Sequence, residues 1–567
     1  MMGSNDHPTA TETTPPASVP SHPPLGAGIT RRELIRRSSV AGLSLTSLAA
    51  VLAACGGETK SNDGTVPGGD SPTPATSGGT LRIGTITPST ASANLDPIAV
   101  NDLGGLALLS QFGEFLIRSN PDLTLTPQLA TSWTPNDDGS VWMFQLDPTA
   151  TFNDGSPVTA ADVVATIERH LDPANAANAL SAFETGRLAV GGVKAIDDHT
   201  VEFTLTGPMG NFPYIVSSDN YNLIILPASA TDTSSFATSG IATSGPYKID
   251  SYDPTKGLTL VKNAAYWGKP PALDKIEWVF IDDLAAQITA FQAGDLDALA
   301  NFTVQGSDAL LNDPDTVVLE TPSANHRQIH MRCSKGPFAD KRVRQAMAIA
   351  LNRPEIVQSL FSGKGRVADD TPLFDIFPTA GTQRPVEQDL ERAKALIAEA
   401  APGGIQATLY GYSSQEMPDL AVLVKEAAAE IGVELTIEMR DDYYDVYWVA
   451  WDENTPGSDI GITDYGHRGV PDVYLTAPLK SVDAGGVWNA AEFANADYDA
   501  AADEYVTAVD PAAKSAAADK IRAILQDEVP MLIPYTFDWL AATKKNVTGL
   551  VAHPMGHLFT DAAAFTA

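Results

Sequence analysis

Cysteine is almost absent. Cys55 and Cys333 are the only two in 567 residues, and they lie so far apart, in such different settings, that an intramolecular disulfide is not the natural reading. Cys333 ends Ile329-His330-Met331-Arg332-Cys333, which reads as a half-buried strand where a lone thiol acts as a small apolar side chain. Basic residues are scarce too: 36 Lys and Arg face 70 Asp and Glu, a formal charge of -34. So negative a surface repels phosphate backbones and excludes nucleic acid as a partner. The excess reads as a solubilising exterior, with steering of cationic ligands as the alternative. No strongly apolar run reaches the roughly 20 residues of a membrane span, so the body reads as soluble. Nor is there a Gly-x-Ser-x-Gly elbow or a His-Glu-x-x-His helix, and Gly363-Lys364-Gly365 lacks the hydroxyl and spacing of a phosphate loop. These absences argue against an exported hydrolase, and no enzymatic activity is expected. No cofactor or metal is expected either. His326 and His330 are four apart in an extended segment, where that spacing does not make a helical ligand pair.

What is present begins with an export signal. Residues 1–29, rich in Pro, Thr, Ser and Gly, have no apolar period and are expected to be disordered. A basic block, Arg31-Arg32-Glu33-Leu34-Ile35-Arg36-Arg37, then precedes the uncharged residues 38–54, which end in Leu52-Ala53-Ala54-Cys55. This is the layout of a signal peptide. Arg31 and Arg32, followed by Leu34 and Ile35, resemble the twin-arginine export signal. Leu52 to Cys55 resembles a bacterial lipobox, which implies that Cys55 receives a lipid and opens the mature chain. A transmembrane helix is the alternative for residues 38–54. The long stretch before Arg31 leaves Sec export open beside the twin-arginine route. Residues 56–79, dominated by Gly, Ser, Thr, Pro and Asp, read as a flexible tether that keeps the body near a membrane partner.

The body is long enough for two or three packed units, and strand and helix patterns intermix, which argues for an α/β or α+β body. Leu81, Ile83 and Thr85 open it as a strand; Trp142, Phe144 and Leu146, then Val201, Phe203 and Leu205, alternate as two more. Thr159 caps a helix with Asp162 at its third position and a stripe of Val163, Val164, Ile167 and Leu171. Asp340 caps another, striped by Val343, Met347 and Leu351. The clearest parallel unit is a strand over residues 405–410, a helix over 417–431 ending at Gly432, and a strand alternating at Val433, Leu435, Ile437 and Met439.

Several phrases, in order along the chain, resemble those of the family 5 extracellular solute-binding proteins, the peptide and nickel receptors of ABC importers. They run from Asn94-Leu95-Asp96-Pro97 through Phe152-Asn153-Asp154-Gly155-Ser156-Pro157-Val158-Thr159 and Ser244-Gly245-Pro246-Tyr247 to Gly336-Pro337-Phe338-Ala339-Asp340 and Glu528-Val529-Pro530-Met531. Most of these residues read as structural. The resemblance implies an α/β, two-lobed, periplasmic-binding-protein-like fold with an extra subdomain inserted in the first lobe. On that basis residues 1–55 are the leader and signal, 56–79 the tether, 80–325 plus 530–567 lobe I with the insertion at about 121–235, and 326–529 lobe II. The crossings are expected near residues 323–330 and 530–535. A ligand between the lobes would favour their closed state.

The resemblance also implies a site. Ile460-Gly461-Ile462-Thr463-Asp464-Tyr465 resembles the segment that, in peptide-binding members, pairs with the ligand backbone and offers an aspartate to its amino terminus. Ile460, Ile462, Asp464 and Tyr465 are therefore candidates, with a turn-capping role as the alternative for Asp464. Asn101 and Asp102 occupy the region that faces the ligand from the first lobe in relatives. The sequence departs from the pattern twice: Gly461 stands where peptide binders often carry Trp, and Gly466-His467-Arg468-Gly469-Val470-Pro471 is a longer path to the proline. The implied partners are a peptide or other small solute, an ABC permease and, through the lipid on Cys55, the membrane. A monomer is expected, at the outer face of the cytoplasmic membrane. A ligand-binding sensor or chaperone without an importer is the remaining alternative.

Overall fold

Two seven-stranded sheets organise the chain in the computed structural model, which describes residues 75–450 and 455–566. Arg31, Arg32, Cys55 and most of the expected tether lie outside the described residues. In the first sheet Thr80–Thr85 is flanked in parallel by Lys275–Phe280 and Ala298–Phe302, and Trp539–Lys544 pairs antiparallel with Ala298–Phe302 and with Thr316–Thr321. Leu81 and Ile83 are wholly buried in it, as their alternation predicts.

An antiparallel sheet of four strands, Ala130–Pro135, Val141–Leu146, Thr200–Thr204 and Val193–Asp197, forms the extra subdomain. In its core Phe144 meets Phe203 and Phe212 edge to face at 5.1 and 6.4 Å, and those two rings are tilted against each other at 5.2 Å. The helix Ala160–Leu171 covers it. Its capping box closes as the sequence predicts, with the Asp162 carboxylate accepting from the Thr159 backbone at 2.7 Å and buried Val163, Ile167 and Leu171 inward.

The second sheet runs Gly365–Val367, Tyr535–Phe537, His326–Met331, Ile460–Tyr465, Ile405–Gly411 and Val433–Met439, with Met531–Leu532 pairing alongside His326–Met331. The parallel unit forms as read: Ile405–Gly411 pairs in register with Val433–Met439 across the helix Met417–Glu430, which is followed by Gly432 at φ +86°. The strand expected to be half-buried differs. All six residues of His326–Met331 are buried because both faces are covered, and Cys333 lies beyond its end with its thiol pushed up to about 11 by burial.

The chain passes between the sheets twice, at residues 322–325 and at Asp538. The second passage comes later than residues 530–535, because Tyr535–Phe537 still pairs in the second sheet. The passages bind each other: Phe537 N donates to Asn325 O at 3.0 Å and Ser323 Oγ to Phe537 O at 2.5 Å. Among the described residues no helix is long and apolar enough to cross a membrane.

Candidate ligand site

The strand Ile460–Tyr465 lies inside the second sheet, antiparallel to His326–Met331 along its whole length and parallel to Ile405–Gly411 from Ile460 to Ile462. Ile460 and Ile462 are wholly buried with partners on both sides, which leaves them no sheet edge to offer a ligand. Asp464 and Tyr465 lie past the last parallel pair. Tyr465 is buried, stacked on His326 at 5.4 Å and edge-on to Tyr474 at 6.1 Å.

Asp464 is exposed. Its carboxylate accepts from the phenol of Tyr444, and Arg327 stands opposite it in the ladder. Tyr444 comes from a single π-helical turn, Tyr443–Tyr447, a rare geometry concentrated at functional positions. Its ring begins an aromatic row through Trp448 at 5.5 Å to Trp488 at 6.1 Å, with Tyr412 at 5.9 Å on its other side. The strand's Gly461 explains the missing Trp. A Cβ there would stand 2.6 Å from His330 Cε1 and 2.7 Å from the Tyr443 hydroxyl, so the space of a large side chain is already filled.

Beyond Trp488 opens a cavity of about 500 Å³, within the range of small-ligand sites. One wall, including Asn178, Tyr214, Asp219 and Tyr221, precedes the first passage; the other, including Arg468, Val470 and Trp488, follows it. The loop that departs from the expected pattern builds the second wall. His467 pins it, Nδ1 accepting from Ala324 N at 3.0 Å while its backbone N donates to Asn325 Oδ1 at 2.8 Å. Burial pushes Asp219 up to about 7, against the nearby Ser119 hydroxyl and Arg468 guanidinium, which favour its charged form.

Asn101 and Asp102 stand one step behind this cavity. Asn178 and Asn222, which do line it, donate to the carbonyl of Val100 at 3.1 and 2.9 Å. Asp102 caps the helix Leu103–Phe112, accepting from Gly105 N at 3.0 Å and from the Ser89 hydroxyl at 2.6 Å. Asp102→Ala should therefore cost about 1 kcal/mol of stability, the usual loss of an N-cap, measured by urea unfolding. His326 and His330 are buried and held down to about 3 by burial, and among the described residues no group of three or more His, Cys, Asp or Glu is placed to hold a metal ion. Asp219, Tyr221 and Trp488 were not singled out by sequence. The polar run of residues 217–222 between buried Val216 and Leu223 is the signal that could have found the first two.

Residues 124–470 match the model of the bacterial extracellular solute-binding proteins, family 5 Middle. The glutathione-binding protein GsiB of Escherichia coli (strain K12) is 24% identical over 492 residues, covering 82% of this chain and 92% of its own. Among solved structures, the Escherichia coli murein tripeptide binding protein MppA superposes with a TM-score of 0.65 at 22% identity, over 86% of this chain and 98% of its own. DppA from Helicobacter pylori, an ABC transporter-associated periplasmic binding protein in complex with the peptide STSA, gives 0.66 at 20% identity, over 87% and 99%.

Proposed function

Because the chain belongs to family 5 of the bacterial extracellular solute-binding proteins, we propose that it captures a peptide or similar small solute between its lobes and delivers it to an ABC importer. It is a binding protein and not an enzyme. The observation that carries the reading is the cavity whose two walls come from opposite sides of the first passage. A solute touching both walls binds best when they are in register, which couples occupancy to lobe position. Relatives that bind glutathione, a murein tripeptide and the peptide STSA support a peptide-like ligand.

The lobes are residues 80–325 with 538–567, carrying the insertion at about 121–235, and residues 326–537, since Met531–Leu532 and Tyr535–Phe537 pair in the second sheet. Export through Arg31 and Arg32, lipidation at Cys55 and a tether over residues 56–79 would hold a monomeric body at the outer face of the cytoplasmic membrane. Asp464 is the anchor for the ligand's amino terminus. It is exposed beside an aromatic row, where an ammonium group can reach the carboxylate that accepts from the Tyr444 phenol.

Mass spectrometry of the solute that co-purifies with the protein, followed by calorimetry with short peptides, tests the reading. Asp464→Asn is expected to weaken binding of a free-amine peptide about ten-fold, the scale of one charge-assisted contact, and to leave the N-acetylated peptide unaffected. Equal affinities of wild type and variant for the free-amine peptide would remove Asp464 from the site.

A further inference from the structure

The cavity holds a carboxylate that the protein leaves without an ion pair. Both oxygens of Asp219 are buried and neither makes a well-formed hydrogen bond, although the neutral Ser119 hydroxyl is close enough to favour the charged form. Gly469, on the facing loop, lies directly over Oδ2, so that a Cβ there would stand 1.7 Å from it. Buried carboxylates are almost always paired or hydrogen-bonded, since nothing else replaces their lost water. Arg468 shares the cavity wall but directs Nη1 to the carbonyl of His467 at 2.7 Å, and lends Asp219 only attraction at longer range. Apolar and aromatic side chains, Ala182, Ile215, Val470 and Val473 with the rings of Tyr214 and Tyr221, share the lining with polar ones such as Asn178 and Asn222, and the second carboxylate there, Asp472, already has Asn211 and Lys514.

We propose that Asp219 receives a cationic side chain of the ligand, an alkylammonium or guanidinium group as in lysine or arginine, so that the preferred solutes are peptide-like molecules carrying a basic side chain. This rests on the cavity being the ligand site, as read above. A long aliphatic stem with a charged end matches the lining: the stem covers the apolar wall, and the head supplies the counter-charge that Asp219 lacks. The faces of Tyr214 and Tyr221 add cation–π attraction. With Asp464 taking the amino terminus, two carboxylates serve two cations. The chain's charge of -34 raises the local concentration of such ligands.

The test is calorimetry of the full chain with Lys-Ala-Ala, Ala-Lys-Ala and Ala-Ala-Lys, each against the same peptide with norleucine for lysine, which keeps the stem and removes the charge. At least one lysine peptide is expected to bind about thirty-fold more tightly than its norleucine counterpart, the scale of a buried charge pair. Asp219→Asn should bring that ratio close to one and keep the norleucine affinity, while Arg468→Gln, which removes a competing cation, should preserve or raise it. Peptides that bind with no preference for lysine, or a preference that survives Asp219→Asn, overturn the assignment and leave the peptide reading standing. If none of the six peptides binds, the peptide reading falls and this one with it. Should Asp219→Asn not fold, the lysine-to-norleucine ratio of the wild type decides alone.

Discussion

Gly469→Val is expected to lower affinity for the co-purifying solute by up to about 100-fold while the melting midpoint stays within a few degrees of wild type. The reason is where the new atoms go. A Cβ at Gly469 stands 1.7 Å from Asp219 Oδ2 and 2.9 Å from Tyr214 Cδ1, both on the opposite wall, and Gly469 is not among the glycines at positive φ. Its own loop can accept a side chain, so the clash falls between the walls and not within a core. Asp219 can swing aside for a single methyl group, but a branched side chain also meets the Tyr214 ring. Overpacking of this kind costs up to about 3 kcal/mol, and moving the walls apart relieves it without unfolding either lobe. Every ligand that touches both walls then bears that cost on binding, and 2.7 kcal/mol is about 100-fold in affinity. Calorimetry gives the affinity, and small-angle scattering should report a larger radius for the variant. Undiminished affinity would mean that the solute sits elsewhere.

The contrast between Gly461 and Gly469 marks how far the sequence could be read. Regular elements were legible wherever burial has a short period. The strand at Val141–Leu146, the capping box of Thr159 and Asp162, and the parallel unit around Met417–Glu430 all follow from side chains within one element. The family phrases carried the fold because most of them are turns and packing residues. The site was legible only in part. Asp464 stands exposed on its strand, yet Ile460 and Ile462 are enclosed by strands on both sides, which is a property of the sheet order and not of their own segment. Asp219 and Trp488 are 269 positions apart and line one cavity only because the chain passes between the sheets. No local pattern encodes that meeting. The departures at Gly461 and along residues 466–471 were visible as departures. Only coordinates reveal that the first accommodates His330 and Tyr443 and that the second is held by the passage at residues 322–325.

Acidification from pH 6.5 to 5 should destabilise the ligand-free protein by a few kcal/mol, because its buried histidines outnumber its buried carboxyls with raised pKa. Burial holds His170, His326, His330 and His467 down to about 3 and His557 to about 4, and pushes His553 well below its ordinary value. A group depressed in the fold is neutral there. Below about 6.5 the unfolded chain gains protons that the folded one does not, so stability is lost as pH falls, by up to about 1.4 kcal/mol per histidine per pH unit. Buried carboxyls act in the opposite sense. Burial raises Glu114 and Asp219 to about 7 and Asp538 to about 6; the fold binds these protons before the unfolded chain does, which adds stability as pH falls through the same window. Asp370 and Asp472 are also raised by burial, against the pull of Arg353 and Lys514. Lys514, pushed down to about 8 by burial, titrates above the window and leaves the slope unchanged. Six histidines against five carboxyls, each of them drawn back toward the charged form by a neighbouring cation, leave a net loss, which should lower the melting midpoint by roughly five to ten degrees. His170→Leu isolates one contributor. His170 is buried among apolar neighbours, with Nδ1 unbonded, so the variant's melting midpoint should fall less steeply with acid than that of the wild type. A midpoint that holds or rises between pH 6.5 and 5 would show that carboxyl protonation governs the acid response instead.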